Sequence, residues 1–213
     1  MVTREHHVAL VDQLVEGSQP VRRIWPVRVR LAIFLAYLFV DGALLVWTWA
    51  RPDLATKLQQ TSFTLGFIAL VLATAFSALQ ALRSAVPGRA PSRVDTAIAS
   101  TLVSIAILYI SDQPAVGHSP MTGWLCGMRT LAIAVVPWGL LLIAIRRGAP
   151  VRVTSAATYA GAASLLFATA VLRLACPDDG SVHWLTWHVG TAAVATICAT
   201  PLATTWLQTW RHG

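Results

Sequence analysis

Long stretches of this chain carry no Asp, Glu, Lys or Arg, among them residues 58–82, 130–145, 153–172 and 180–210. A bilayer core about 30 Å thick is crossed by roughly 20 mostly apolar helical residues, so stretches of this length and polarity have lipid as their solvent. Charged residues make up only 12% of the 213, about half the share of a soluble domain, so there is no aqueous domain of ordinary composition to look for.

Six apolar spans follow, at about 31–50, 62–83, 95–112, 124–145, 153–173 and 185–208. The third is the weakest by hydropathy, because Asp95, Thr96, Ser100, Thr101 and Ser104 interrupt it. Pro137 and Pro201 fall inside spans, where neighbouring helices can satisfy the freed carbonyls. The fold class expected is therefore an all-α, polytopic membrane protein, a six-helix antiparallel bundle over 31–208. It has a leader at 1–30, made of a short amphipathic helix and a basic anchor, and a tail at 209–213. Ala157, Ala160, Gly161 and Ser164 give the fifth span a small face for close packing.

The basic residues orient the bundle. With the N-terminus inside, the inner segments hold Arg4, Arg22, Arg23, Arg28, Arg30, Arg83, Arg89, Arg93, Arg146, Arg147, Arg152 and Arg211. The outer side holds only Arg51, Lys57, Arg129 and Arg173. Positive residues favour the cytoplasmic side, so both termini are expected there. The same distribution explains the net charge of +7 through topology, and no direct nucleic-acid contact is expected. A cleaved signal peptide is not expected either, since the apolar stretch comes late and is too long.

In this topology Cys126 and Cys176 stand at one membrane face: one helix down, a short loop and one helix back. Two such thiols can form a disulfide or bind a soft metal as thiolates, and the sequence leaves both open. Cys198, deep in the sixth span, reads as a small buried apolar residue. His118, His183 and His188 lie near the same face, the first two in loops and His188 one turn into the sixth span. Of the three, His188 is singled out for sensing. Arg129 and Arg173, within a turn of the cysteines, can lower thiol pKa values or meet lipid headgroups. Asp41 is the acidic residue within the first span, and a structural hydrogen bond to another helix is expected for it.

No cofactor is fixed by these residues; a heavy-metal or zinc ion at the cysteine pair is the group they can hold, with Cys126, Cys176 and His188 as candidate ligands. No CxxC, Gly-rich phosphate loop, HExxH or Ser–His–Asp arrangement occurs, so no enzymatic activity is expected. A small transporter or channel using Asp41 and the polar third span is the alternative class. A thiol oxidoreductase lacks a second cysteine pair.

The order of short motifs along almost the whole chain resembles the NrsF family of bacterial inner-membrane anti-sigma factors, negative regulators of SigF-type extracytoplasmic-function (ECF) sigma factors. The motifs are Leu10-Val11-Asp12-Gln13-Leu14, Pro20-Val21-Arg22-Arg23, Arg51-Pro52-Asp53-Leu54, Ala85-Val86-Pro87-Gly88-Arg89, Arg146-Arg147-Gly148-Ala149-Pro150, and Cys176-Pro177-Asp178-Asp179 ahead of Trp187-His188. The resemblance implies six spans in the inner membrane and an ECF sigma factor as protein partner. It implies that Cys126 and Cys176 are the periplasm-facing cysteines that sense metal or oxidative stress. It also implies that the leader contacts the sigma factor. The residues themselves show only that Val8, Val11, Leu14 and Val15 recur at helical spacing, which suits a partner's groove or the membrane surface. Neither residues nor resemblance gives the oligomeric state.

Overall fold

The computed structural model describes residues 24–89, 91–111, 120–148, 150 and 152–209. The leader residues Val8, Val11, Leu14 and Val15, the loop residue His118 and the tail from 210 onward lie outside the described residues. Among the described residues every regular element is helical. In chain order these are α1 (Val27–Trp49), α2 (Leu54–Leu58), α3 (Thr61–Ser84), α4 (Arg93–Ser111), α5 (Pro120–Arg146) and α6 (Val153–Ala175). The short α7 (Ser181–His183) then runs through a π-helical segment (Trp184–Gly190) into α8 (Thr191–Gln208). Six helices are long and apolar enough to cross a membrane: α1, α3, α4, α5, α6 and the continuous run Ser181–Gln208.

Contacts at two levels give the bundle its two ends. At one, Arg30 Nη1 donates to the carbonyl of Ala144 at 3.1 Å, joining the start of α1 to the finish of α5. At the other, the Arg51 amide donates to the carbonyl of Leu174 at 3.2 Å, joining the loop after α1 to the finish of α6. The first is the arginine end, with Arg83 and Arg146 also at helix C-termini there. The second is the cysteine end.

The centre of the bundle is α6, packed against α3, α5 and α8. Of its most apolar stretch 72% is buried, against 11% for α1 and α4, so α6 is the core and those two face outward. Small residues make this possible: Ala156, Ala157, Ala160, Ala163 and Ser164 are all buried and let neighbouring backbones come close. Facing them, α3 buries Ala69, Ala73, Ala78 and Ala81. The outward surface is apolar as well, with Phe39, Leu44 and Trp47 on α1 and Val194, Ile197 and Leu202 on α8. Cys198 belongs to that surface: it is exposed, not buried as the sequence suggests. In a membrane helix an apolar side chain can be hidden from water by lipid, so apolarity alone does not assign it to the protein interior.

Several hydroxyls inside the spans are satisfied locally. Thr74, Ser84, Ser164 and Thr169 each donate to the carbonyl four residues earlier, at 2.8–2.9 Å. Asp95, which weakens the third span by hydropathy, caps it. Its Oδ2 accepts from the Ser92 amide and hydroxyl at 2.8 Å, and its own amide donates to Ser92 Oγ at 3.2 Å, a reciprocal capping box. Gln80 Nε2 donates to the other carboxylate oxygen at 2.9 Å, tying α3 to α4. Asp41 and Tyr37, one turn earlier on the same helix, interact through their side chains.

Candidate functional site

Four metal-ligating side chains converge at the cysteine end. Cys126 comes from the first turns of α5, Cys176 stands at the C-cap of α6, and His183 and His188 bracket the start of the last span. All four are buried, and one potential ligand atom from each lies within 4.8 Å of the others. The two sulfurs are 3.8 Å apart, and both thiols are free. Cys176 Sγ is 3.7 Å from His183 Nε2.

The local backbone explains how the two histidines meet. In an α-helix five residues turn through 500°, which would leave His183 and His188 about 140° apart around the axis. A π-helix closes i→i+5 hydrogen bonds and turns less per residue, which brings residues five apart nearer to one face. The segment from Trp184 to Gly190 is π-helical, and the two imidazole centroids come to 5.2 Å. Trp184 stacks on His188 with centroids 4.0 Å apart, and its Nε1 donates to the carbonyl of Asp178 at 2.6 Å. Trp187 closes over α5 at Gly123, where a Cβ would run into the Trp187 indole; only glycine leaves room for that ring.

A surrounding layer holds the imidazoles. Asp178 Oδ2 lies 3.1 Å from His183 Nδ1. Thr130 Oγ1 donates to the Cys126 carbonyl at 3.0 Å and sits 3.4 Å from His188 Nδ1. The loop that carries Cys176 is pinned by Arg51. Its buried guanidinium donates to both oxygens of Asp179 at 2.7 Å, to Asp53 at 2.6 and 3.0 Å, and to the Pro177 carbonyl at 3.3 Å. Lys57 Nζ adds a contact to Asp179 at 2.7 Å. The segments Arg51-Pro52-Asp53 and Cys176-Pro177-Asp178-Asp179 thus dock on one another.

Charge follows this geometry. Burial opposes ionisation of Asp179, but hydrogen bonds from Arg51 and Lys57 hold its carboxyl below the usual range. The hydrogen bond from Arg51 does the same for Asp53. Burial works against the Arg51 cation, and its bonds to Asp179 and Asp53 still carry its pKa above the ordinary value. Hydrogen bonding to Cys126 and burial push the Cys176 thiol up to about 12, with His188 pulling the other way. Arg173 is fully buried and stacks between Phe63 (4.5 Å) and Trp184 (5.1 Å), so it does not reach headgroups. Arg129 is exposed and lies over Trp49 at 5.7 Å.

Residues 14–210 match the model of a protein family described as NrsF, negative regulator of sigma F. The chain belongs to the NrsF family. Searches of curated proteins and of solved structures return no match. NrsF membership makes negative regulation the role of the chain and a sigma factor its partner, and a regulator of this kind is not an enzyme class. In this NrsF protein the structure brings Cys126, Cys176 and His188 together. It adds His183, which the sequence places in a loop. The signal that could have found His183 is Asp178, a carboxylate placed to orient an imidazole.

Proposed function

We propose that this NrsF protein sequesters an ECF sigma factor at the bacterial inner membrane. It releases the factor when the cysteine end, facing the periplasm, meets metal or oxidative stress. The leader supplies the holding element, with Val8, Val11, Leu14 and Val15 as the apolar face that enters the sigma factor. Cys126 and Cys176 are the sensing pair, and His188 sits beside them. The observation that carries this reading is the buried thiol pair, 3.8 Å apart, at the end of the bundle opposite the arginine cluster.

Transmission runs through α6. Cys176 terminates the most buried helix, so a change in its bonding acts on the element that α3, α5 and α8 all touch. A signal shifts the bundle only if it binds one packing more tightly than the other. The apolar lipid-facing surface of α1, α4 and α8 fits lipid as the surrounding phase.

The test is co-purification from native membranes after detergent solubilisation, with and without residues 1–20. The expected result is a sigma factor that accompanies the intact chain and is lost on truncation. In the same strain C126S and C176S should abolish the response to inducer while leaving the protein in the membrane. An intact chain that brings down no sigma factor overturns the reading.

A further inference from the structure

We propose that Cys126, Cys176, His183 and His188 form one closed, four-coordinate site for a divalent cation of the zinc–cadmium class. This deepens the sensory reading above, on which only its regulatory consequence rests.

Two of the distances are those that such an ion demands, and all four donor atoms lie within 4.8 Å of one another. Metal–sulfur bonds of about 2.3 Å at the tetrahedral angle set two sulfurs about 3.8 Å apart, and bonds of about 2.0 Å to nitrogen set sulfur and nitrogen about 3.6 Å apart. The sulfurs stand at 3.8 Å, and Cys176 Sγ stands 3.7 Å from His183 Nε2. A disulfide needs about 2.05 Å, so reaching it requires the two helix ends to close. A cation fits the two sulfurs and His183 at their present spacing.

The second observation is the protonation pattern its neighbours impose. The Thr130 hydroxyl proton is given to the Cys126 carbonyl, so towards His188 Nδ1 that oxygen can only accept. That contact favours the His188 tautomer with its proton on Nδ1. Its Nε2 keeps a lone pair, fully buried and without a hydrogen-bond partner. Asp178 Oδ2, acceptor-only when ionised, lies 3.1 Å from Nδ1 of His183 and favours the same tautomer there. That arrangement of carboxylate, histidine and metal is how proteins orient imidazole ligands. Two imidazole Nε2 lone pairs and two sulfurs then converge in a pocket from which water is excluded. Relative exposures are 5% for Cys126, 4% for Cys176, 2% for His183 and 0% for His188.

Chemistry selects the ion class. Two sulfur and two nitrogen donors in a tetrahedron suit zinc and its heavier congener, and a hard cation such as magnesium asks for six oxygens. On binding, each thiol releases its proton to solvent, and two thiolates neutralise the dication. The buried site thereby gains no net charge. With no open position, the ion serves structure and signalling, not catalysis.

The test titrates the full-length protein, purified in detergent and fully reduced, with Co2+ as a coloured stand-in. One Co2+ per chain should bind, showing thiolate-to-metal charge transfer and tetrahedral visible bands, and Zn2+ should displace it. C126S and C176S should each weaken the charge-transfer band, and losing both thiols should abolish it. H183A and H188A should keep the thiolate band but shift the visible bands and lower affinity. Asp178→Asn touches no ligand atom, so it keeps the proposal testable if a ligand variant misfolds. It should lower affinity about 10- to 100-fold with the spectrum's shape retained. A reduced chain that stays colourless overturns the site, and so do histidine variants with unchanged bands and affinity. No sigma factor is present in this titration, so its failure leaves the anti-sigma reading standing, and a failed sigma-factor capture leaves the site standing.

Discussion

Arg51 shows how one buried cation can hold a loop in place. Its side chain is 2% exposed, and two carboxylates and a carbonyl satisfy it. Removing one partner of a buried ion pair leaves the other charge uncompensated, which is the costly way to break it. Arg51→Ala should therefore destabilise the detergent-solubilised protein by about 3 kcal/mol, read as a fall in Tm. Arg51→Lys should rescue little, because an ammonium cannot form the bidentate fork. The pH dependence has a definite sign. The Asp179 pKa is lower in the folded chain than in the unfolded one, so its contribution is present above the unfolded value of about 4 and is lost as pH falls through the folded value. Thermal melts between pH 7 and 3 should show that loss, and Asp179→Asn should be less stable at pH 7 but flatter over the acidic window. Topology alone placed Cys126 and Cys176 at one face. Nothing in the residue order announced that Arg173 would be swallowed between two rings.

At the scale of elements, the spans are legible because lipid leaves little choice: long apolar segments with few charges become helices. What periodicity misreads is departure from the α-helix. The π-helical segment brings residues five apart nearer to one face, a spacing that a 3.6-residue repeat assigns to different faces, and so the meeting of His183 with His188 does not show in the periodicity. The polar start of the third span misleads in the opposite direction, since Asp95 and Ser92 form a cap. Ser92→Ala should cost about 1 kcal/mol, visible as a lower Tm and faster proteolysis of the 86–92 loop. Gly123→Ala should push Trp187 off α5, at a cost of about 1–3 kcal/mol. Trp187 fluorescence is not isolated among nine tryptophans, so the Co2+ spectrum of the site is the sharper measure of its displacement.

For the whole molecule, the distribution of arginines predicts which end meets which compartment. Alkaline phosphatase fused after residue 56 should be active, and fused after residue 88 it should be inactive; the reverse pattern would invert the bundle. The small face of α6 carries the assembly, so Ala160→Leu, at a fully buried position, should reduce accumulation in the membrane more than Cys198→Leu on the outer surface. The clasp between Arg51 and Asp179 joins residues 128 positions apart. While the ribosome is still making the middle of the chain, Arg51 has Asp53 for a partner, and Asp179 does not yet exist. The loop that carries Cys176 can therefore be clasped only late in synthesis, after residue 179 has been made.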